Sequence, residues 1–301
     1  MKRYFILSFL FLGTMTMSCH CTNRDYEEFE GEYHDNRNDN ISKKERKVET
    51  IKEDKSPLFV SKGETNTTPS TPLDTILTGL PETKSTEHSF LLRRTGYTLL
   101  YNSSYLIPTW VFWHLTSEHT DGDYPRDNNY YEDEEVVSPR AQNEDYKDSG
   151  WTRGHMCPAG DNKWDEVAMK ESNLLTNICP QHANLNSGLW NVIERNCRKW
   201  AQQYGDLYIV CGPVLLNKEH ETIGINKVVV PEAFFKVILR LNPKPAAIGF
   251  VVRNNEGKKK KDQYVNTVDE VERITGIDFF PALPDDIENE VEAYANLDDW
   301  R

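Results

Sequence analysis

The stretch GWTRGHMCPAGD, residues 150–161, places an arginine and a histidine two positions apart, among glycines and a proline. A neutral imidazole, with an ordinary pKa of about 6.5, can accept a proton from water near neutral pH. Arginine presents paired N–H donors that suit phosphate or carboxylate oxygens. The same residues also fit a hydrogen-bonded turn, so Arg153 and His155 indicate a site only if partners lie elsewhere in the chain.

A second polar group follows in LNSGLWNVIERNCRKWAQQYG, where apolar residues recur at three- and four-residue steps. This spacing predicts a helix that begins with Asn186 or Ser187 as N-cap and ends at Gly205. Steps of four from Asn186 reach Glu194 and Arg198, so we expect all three on one flank. The alternative is a capped helix with a salt-bridged surface pair.

Four motifs occur in a fixed order: W-T-R-G-H-M-x-P, T-N-I-x-P-Q, L-N-x-G-x-W-x-x-x-E-x-x-x-R and Y-I-V-x-G-P. In this order and spacing the sequence closely resembles the DNA/RNA non-specific endonuclease family, the ββα-metal (His-Me finger) nucleases. The resemblance covers roughly residues 88–284. It implies an α+β fold with a central, mainly antiparallel sheet flanked by helices.

The resemblance also implies a role for each matching residue. His155 takes the place of the general base, and Asn186 that of the sole direct protein ligand of a hydrated Mg²⁺, with Mn²⁺ as an alternative. Glu194 matches the carboxylate that holds the water shell of the metal. The residues that match groups contacting or positioning the scissile phosphate are Arg153, Asn177 and Arg198. Asn177 would also fit a loop-stabilising role.

The sequence departs from the family pattern at Thr152, where the family usually has an aspartate. That aspartate belongs to the surroundings of the metal, so the change puts metal affinity in doubt more than the identity of the base. An earlier family arginine lies about thirty residues before the histidine. Arg126 is the nearest candidate, and Arg140 is the second.

These residue types suit phosphodiester hydrolysis on chemical grounds as well. The reaction needs an activated water, neutralisation of charge on the phosphoryl oxygens and help for the leaving oxygen. Mg²⁺ prefers six oxygens and keeps several waters, so one amide oxygen is a plausible protein ligand. Contacts to the nucleic-acid backbone predict little sequence preference. Nothing in this chemistry uses a 2′-hydroxyl, so we expect both DNA and RNA as substrates, and the family resemblance implies 5′-phosphate ends. The alternatives are a catalytically inactive envelope protein that binds nucleic acid through the same fold, and a phosphomonoesterase.

The net charge of −13 does not exclude a polyanionic substrate, because the charge is unevenly distributed. Residues 148–268 contain 16 lysines and arginines against 12 acidic residues, whereas residues 121–147 and 269–301 are strongly acidic. Such a distribution predicts weak long-range steering of nucleic acid.

The first 19 residues have the layout of an export signal, with Lys2 and Arg3 before an apolar run. Cys19 follows Ser18 as in a bacterial lipobox, although Thr16 is unusual there. We therefore expect a lipoprotein-like signal peptide over 1–19, a disordered tether over 20–80 and the nuclease domain over 81–301, with the folded body starting near His88. This predicts a lipid-anchored envelope protein or a secreted or periplasmic one, without other membrane contact, and a homodimer is an open option.

Four cysteines lie in the body of the chain: Cys157, Cys179, Cys197 and Cys211. Export would allow two disulfides, in any of three pairings, or the four could be buried thiols. A zinc site that includes His182 and a catalytic Cys157 thiolate are weaker alternatives. We expect His182 and His220 to serve structure or solvent contact.

The remaining pattern predicts strands in YTLLYNSSYLIPTWVFWHL, DLYIVCGPVLL, KVVVPEAFFKVILRL and AAIGFVVRN, which are rich in β-branched and aromatic residues. Residues 121–147 are expected to form a long loop, and the lysine run 258–261 a solvated turn.

Overall fold

The computed structural model describes residues 79–255 and 260–301. The predicted signal peptide and the tether up to residue 78 lie outside the described residues and stay predictions. Ordered structure begins before His88, because a short strand at Glu82–Thr83 already pairs with Ile277–Asp278. No helix in the described ranges is long and apolar enough to cross a bilayer.

Within the described residues the chain forms short and long strands connected by helices. The strands are β1 (Glu82–Thr83), β2 (Ser89–Arg93), β3 (Thr98–Asn102), β4 (Ile107–Leu115), β5 (Thr152–His155), β6 (Ile178–Gln181), β7 (Leu207–Val214), β8 (Thr222–Ile223), β9 (Val228–Val229), β10 (Ala233–Arg240), β11 (Ala246–Arg253), β12 (Val265–Asn266) and β13 (Ile277–Asp278). The helices are α1 (Asn143–Tyr146), α2 (Glu166–Ser172), α3 (Ala183–Leu185), α4 (Asn191–Tyr204), α5 (Val268–Thr275) and α6 (Asp285–Glu292).

The central sheet has seven strands in the order β12-β11-β10-β7-β4-β3-β2. Every neighbouring pair is antiparallel, which confirms the predicted α+β class with a mainly antiparallel sheet. The predicted strands are confirmed, but KVVVPEAFFKVILRL forms two strands, β9 and β10. Pro231 lies between them, where proline cannot donate to a strand ladder.

Helices cover both faces of the sheet, so its central strands are buried on both sides. All eight residues of β10 are buried, as expected for a near-continuous apolar run. Alternate side chains of β10 enter different cores, Phe234 and Ile238 on one face and Phe235 and Val237 on the other. The first core includes residues of α4, and the second includes residues of α5 and α6. The helix α4 therefore lies on the face opposite to α5 and α6.

The four cysteines of the body are buried free thiols, so the structure supports that alternative and not the disulfides: Cys157, Cys179, Cys197 and Cys211. Burial raises the pKa of all four thiols, which opposes formation of a thiolate. No group of potential metal ligands in the described residues includes a cysteine. The zinc site and the catalytic thiolate are therefore wrong.

The predicted helix begins earlier than its spacing indicated. The chain becomes helical at α3, where the Nδ1 atom of His182 accepts a hydrogen bond from the Asn184 N–H at 3.2 Å, so neither Asn186 nor Ser187 is the N-cap. A π-helical turn over Asn186–Trp190, with irregular backbone at Gly188, connects α3 to α4. The helix ends at Gly205 as predicted, with φ of 87°.

Two loop predictions are partly correct. Residues 121–147 are irregular apart from the single turn α1, as predicted. The lysine run is not wholly a solvated turn, because the Lys261 ammonium lies 5.7 Å from the Trp200 ring centre. Burial lowers the pKa of Lys261. Lys258 and Lys259 lie outside the described residues.

Candidate active site

The site is built on β5 and β6, which pair antiparallel and lead into α3, the π turn and α4. His155 is the last residue of β5 and lies opposite Ile178. Gly154 lies opposite Cys179, and a Cβ atom at residue 154 would collide with the Gln181 side chain. The glycine of the R-G-H motif therefore allows the two strands to pack closely at the base of the site.

His155 is held by one hydrogen bond and is only 7% exposed. Its Nε2 atom lies 2.7 Å from Asn173 Oδ1. The Asn173 amide is itself oriented, because its Nδ2 donates to the Asp127 carbonyl at 2.9 Å. Asn173 Oδ1 must then accept, so Nε2 of His155 carries the proton and Nδ1 keeps its lone pair. This tautomer is the one that a general base needs.

Burial lowers the pKa of His155 to about 4, the Asn173 hydrogen bond opposes that effect and Arg126 adds to it. The imidazole is therefore neutral at pH 7 and able to accept a proton. The ring of Tyr130 packs against it, with ring centres 5.5 Å apart.

Asn177 does not face a substrate, which corrects the predicted phosphate contact and supports the loop-stabilising alternative. Its side chain is 0% exposed. Oδ1 accepts from the Cys157 N–H at 2.9 Å, while Nδ2 donates to the carbonyls of Cys157 at 2.8 Å and Ser172 at 2.7 Å. All hydrogen-bonding groups of the amide are used to fix the chain two residues after His155.

Asn186 has a free side-chain oxygen. Its Nδ2 donates to Thr152 Oγ1 at 3.0 Å and to the Arg153 carbonyl at 3.3 Å, and among the described residues nothing donates to Oδ1. Thr152 Oγ1 in turn donates to the Gln181 carbonyl at 2.7 Å. The donor set fits a metal, because both amide hydrogens are bound to β5 and a hard oxygen acceptor is left exposed. Thr152 thus orients the predicted ligand.

Glu194 lies half-buried on α4 without a hydrogen-bond partner among the described residues. Burial raises its pKa to about 7, Lys236 and Arg198 counteract the shift, and Asp161 adds to it. The predicted alternative of a surface ion pair between Glu194 and Arg198 is wrong.

Arg198 pairs with Asp161 instead, with Nη1 and Oδ1 2.7 Å apart. Asp161 is buried, and its second oxygen accepts from the Trp113 indole N–H at 3.1 Å. Gly160 allows the approach, because a Cβ atom there would lie 2.8 Å from Arg198 Nη1. The guanidinium is anchored on one side, and its half-exposed position leaves other donors for an anion.

Arg153 packs the long loop against the hairpin. Its guanidinium carbon lies 5.3 Å from the Tyr130 ring centre and 5.0 Å from that of Tyr146. Nη2 donates to the Asn143 carbonyl at 2.8 Å. Arg153 therefore fixes Tyr130 beside His155, and the predicted phosphate contact stays a prediction.

Of the two candidates for the earlier arginine, Arg126 lies at the site. Its side chain is exposed, and its charge helps to lower the pKa values of both His155 and Glu194. Arg140 is engaged elsewhere, with Nε 2.9 Å from Glu132 Oε2 and Nη1 bound to the Val136 carbonyl.

A buried cation lies beneath these groups. Lys236 is 0% exposed, and its Nζ has no hydrogen-bond partner in the described residues. It lies 5.0 Å from the Trp113 ring centre and 4.9 Å from that of Trp190. Burial opposes its charge, but Cys211, Glu194 and other neighbours raise the pKa overall. Lys236 is therefore a fixed positive charge behind Glu194.

Sequence reasoning missed Asn173, Asp127, Tyr130 and Lys236, which have no motif of their own. Asp161 is the last residue of the segment GWTRGHMCPAGD, but its distance in sequence from Arg198 does not predict their contact. Both His182 and His220 have structural partners, as expected, since His220 Nδ1 lies 2.8 Å from Glu232 Oε1.

A neutral imidazole base, a free amide oxygen and cationic side chains converge on one strand–strand–helix unit. This unit and its chemistry define the class of ββα-metal nucleases, in which the base and the metal ligand are held by the same small motif.

Comparison with known proteins places the chain within that class. The family model described as DNA/RNA non-specific endonuclease matches residues 78–286. The chain therefore belongs to the DNA/RNA non-specific endonuclease family, a family of divalent-metal-dependent hydrolytic nucleases, which confirms the resemblance found in the sequence.

Individual proteins similar to this chain are also nucleases by name. The chain is 34% identical to the human protein "Nuclease EXOG, mitochondrial" over 207 residues, which cover 63% of this chain and 56% of that protein. It is 34% identical to bovine "Endonuclease G, mitochondrial" over 160 residues, covering 50% and 54%. A solved structure of the EndoG/EndoGI complex superimposes with a TM-score of 0.64 at 29% identity, covering 72% of this chain and 95% of that one.

Proposed function

We propose that this chain is a metal-dependent endonuclease that hydrolyses phosphodiester bonds in DNA and RNA without marked sequence preference. One observation carries the proposal: the Asn186 side chain is hydrogen-bonded to Thr152 Oγ1 and to the Arg153 carbonyl, both on the strand that ends at His155, and its Oδ1 is left without a donor among the described residues. A metal ligand held against the strand that carries the base can act on the same phosphate as that base.

His155 supplies the base in this reaction. Its neutral Nδ1 accepts a proton from the water that attacks phosphorus, and the hydrogen bond from Nε2 to Asn173 keeps the ring in place. The P–O3′ bond breaks as the new P–O bond forms, and the leaving 3′ oxygen takes a proton from solvent, which leaves a 5′-phosphate and a 3′-hydroxyl.

Two arginines face the anionic substrate. Arg198, fixed by Asp161, donates to the phosphoryl oxygens and stabilises the charge that develops on them. Arg126 is exposed and adds positive charge near His155. These contacts reach the backbone rather than base edges, which accounts for low sequence preference.

Asn186 Oδ1 would hold the metal directly, and the half-buried Glu194 would hold its water shell. A bound Mg²⁺ or Mn²⁺ supplies Lewis-acid stabilisation of the phosphate and of the leaving oxygen. The role of Thr152 is to orient Asn186, as the hydroxyl both accepts from Nδ2 and donates to Gln181.

The test is incubation of the full chain with supercoiled plasmid and with RNA, in Mg²⁺, Mn²⁺ or EDTA. We expect both substrates to be cut only with metal, and His155→Ala to lose at least about 10²-fold in rate. End-labelling should detect 5′-phosphates. An intact substrate with retained nucleic-acid binding would favour the inactive envelope protein, and release of phosphate from a small monoester would favour a phosphomonoesterase.

We further propose export with lipidation of Cys19, which rests on the layout of residues 1–19 alone. Expression with a labelled fatty acid would test it, because Cys19→Ala should lose the label and the membrane fraction. Unlabelled wild-type chain in the medium would indicate plain secretion.

A further inference from the structure

A cluster of carboxylates lies away from the candidate active site. Asp269 and Glu272 are on α5, and Glu292 ends α6. One oxygen from each residue lies within 4.8 Å of the others. The helices α5 and α6 cover the face of the sheet opposite to α4, so the cluster shares no side chain with the site around His155.

Glu292 distinguishes the cluster from an ordinary acidic surface, because its carboxylate is buried. It is only 4% exposed, and its Oε1 has no hydrogen-bond partner in the described part of the chain. Buried carboxylate oxygens without a partner are costly and uncommon, so an unmet Oε1 beside two further carboxylates indicates a missing positive or donor group.

No side chain in residues 79–255 or 260–301 is seen to supply that group. The charged neighbours that perturb Glu292 are all acidic, namely Glu272, Glu288, Asp278 and Asp269, and burial together with these neighbours raises the pKa of Glu292 to about 8. No lysine or arginine of the described residues forms an ion pair with Asp269, Glu272 or Glu292. The nearby Arg273 pairs with Glu270 instead.

We infer that Asp269, Glu272 and Glu292 form a binding site for a Ca²⁺ ion that joins α5 to α6. Hard carboxylate oxygens are the ligands that Ca²⁺ prefers. Two oxygens on opposite sides of Ca²⁺, each at roughly 2.4 Å, are about 4.8 Å apart, as the cluster allows. Exposed Asp269 gives solvent access and room for waters.

The inference is independent of the nuclease chemistry. The family model ends at residue 286, before Glu292, so the family match does not include the buried ligand. Glu272 keeps one structural contact in addition, since its Oε1 accepts from the Phe279 N–H at 2.9 Å. This hydrogen bond holds the Glu272 carboxylate close to that of Glu292.

The test is thermal unfolding of the EDTA-treated full chain with and without CaCl₂, beside calorimetric titration with CaCl₂. Both measurements are repeated in Asn186→Ala, which lacks the proposed protein ligand of the catalytic metal. At a roughly hundredfold excess over Kd we expect Ca²⁺ to raise Tm by at least about 3 °C in both backgrounds. Glu292→Gln should weaken Ca²⁺ binding at least about tenfold and lose the Tm shift.

Asp286→Asn is the matched control, because Asp286 lies exposed on the same helix outside the cluster. Asp286→Asn should keep both the Ca²⁺ binding and the Tm shift of wild type. Without Ca²⁺, Glu292→Gln should unfold at the same temperature as wild type or higher, which shows that the variant folds. Equal Ca²⁺ responses of wild type and Glu292→Gln, or no Ca²⁺ binding in the Asn186→Ala background, would overturn the inference.

Discussion

The Nε2 atom of His155 donates to Asn173 Oδ1 over 2.7 Å, and this contact selects the tautomer of the base. The two residues lie 18 positions apart and belong to different segments, β5 and the loop after α2. Asn173 is only 1% exposed, so in the proposed reaction it acts through His155 as a positioning residue.

Replacing Asn173 by aspartate should shift the pH dependence of cleavage. A carboxylate beside Nε2–H stabilises the imidazolium, so the pKa of His155 rises from its lowered value. Because the neutral ring is the proposed base, the acid limb of the kcat/KM profile should move to higher pH. Profiles on a labelled oligonucleotide at saturating Mg²⁺ measure the shift.

Asn128→Asp is the control for this prediction, since Asn128 is exposed in the 121–147 loop, next to the Asp127 carbonyl that accepts from Asn173. It adds the same charge near the site without touching His155, so its profile should match wild type. A shift of equal size in both variants would argue against the positioning role of Asn173.

Thr152→Val should weaken the response to metal. The change removes both the acceptor for Asn186 Nδ2 and the hydroxyl that donates to the Gln181 carbonyl. The Mg²⁺ concentration for half-maximal activity should rise about 10- to 100-fold, as for other groups that orient a metal ligand. Thr152→Ser keeps the hydroxyl and should retain the wild-type curve in Mg²⁺ and Mn²⁺ titrations.

Thr152→Asp restores the residue usual in the family, and it keeps an acceptor for Asn186. We therefore expect a metal titration curve close to that of wild type. A large gain in Mg²⁺ affinity would show instead that threonine limits the site.

The sequence predicted the residues that carry a motif, and it missed those defined by tertiary contact. His155 and Asn186 could be named because their spacing to neighbouring motif residues is local. Asn177 shares a motif with them, but its contacts with Cys157 and Ser172 depend on how the loop folds back. Pattern alone could not distinguish a phosphate contact from a structural amide.

In the fold, too, local sequence pattern predicted some elements, whereas those set by tertiary contacts were missed. Strands such as β10 were predictable from apolar and β-branched residues, whereas the N-cap at His182 and the π turn over Asn186–Trp190 were not. An α-helical period describes residues before and after the π turn equally well. The helix is interrupted at Gly188, where the backbone is not helical, and the contact of Asn186 with β5 joins residues 33 and 34 positions apart, which sequence periodicity does not encode.

Asp161→Asn should release Arg198 from its anchor. A neutral amide no longer fixes the guanidinium, so kcat/KM should fall about 10- to 100-fold, with much of the loss in transition-state stabilisation. In a double-mutant cycle, Asp161→Asn should add little to Arg198→Lys, because the two residues act through one contact. Arg195→Gln is the control, because Arg195 is exposed on the same helix as Arg198, and it should leave kcat/KM close to that of wild type. Fully additive losses in the cycle would show that Asp161 does not act through Arg198.

Glu194→Gln should change the dependence of stability on pH in EDTA. The folded pKa of Glu194 is about 7, above the ordinary value of 4.5, so the folded state keeps a proton that the unfolded state releases. Wild type therefore loses stability relative to Glu194→Gln as pH rises from 4.5 through 7, by up to about 3 kcal/mol. Urea unfolding at pH 5 and pH 8 measures it, with Glu219→Gln on an exposed loop as control.

Lys236→Met should separate charge from packing beneath the site. Methionine fills similar space between Trp113 and Trp190, and Lys236 Nζ has no hydrogen-bond partner to lose among the described residues, so the free energy of unfolding should stay within about 2 kcal/mol of wild type. Activity should nevertheless fall, because Lys236 is the first of the charges that lower the Glu194 pKa, and without it the carboxylate needs higher pH to ionise. The pH optimum of cleavage should move upward. A stable variant with an unchanged pH profile would show that the buried ammonium serves packing alone.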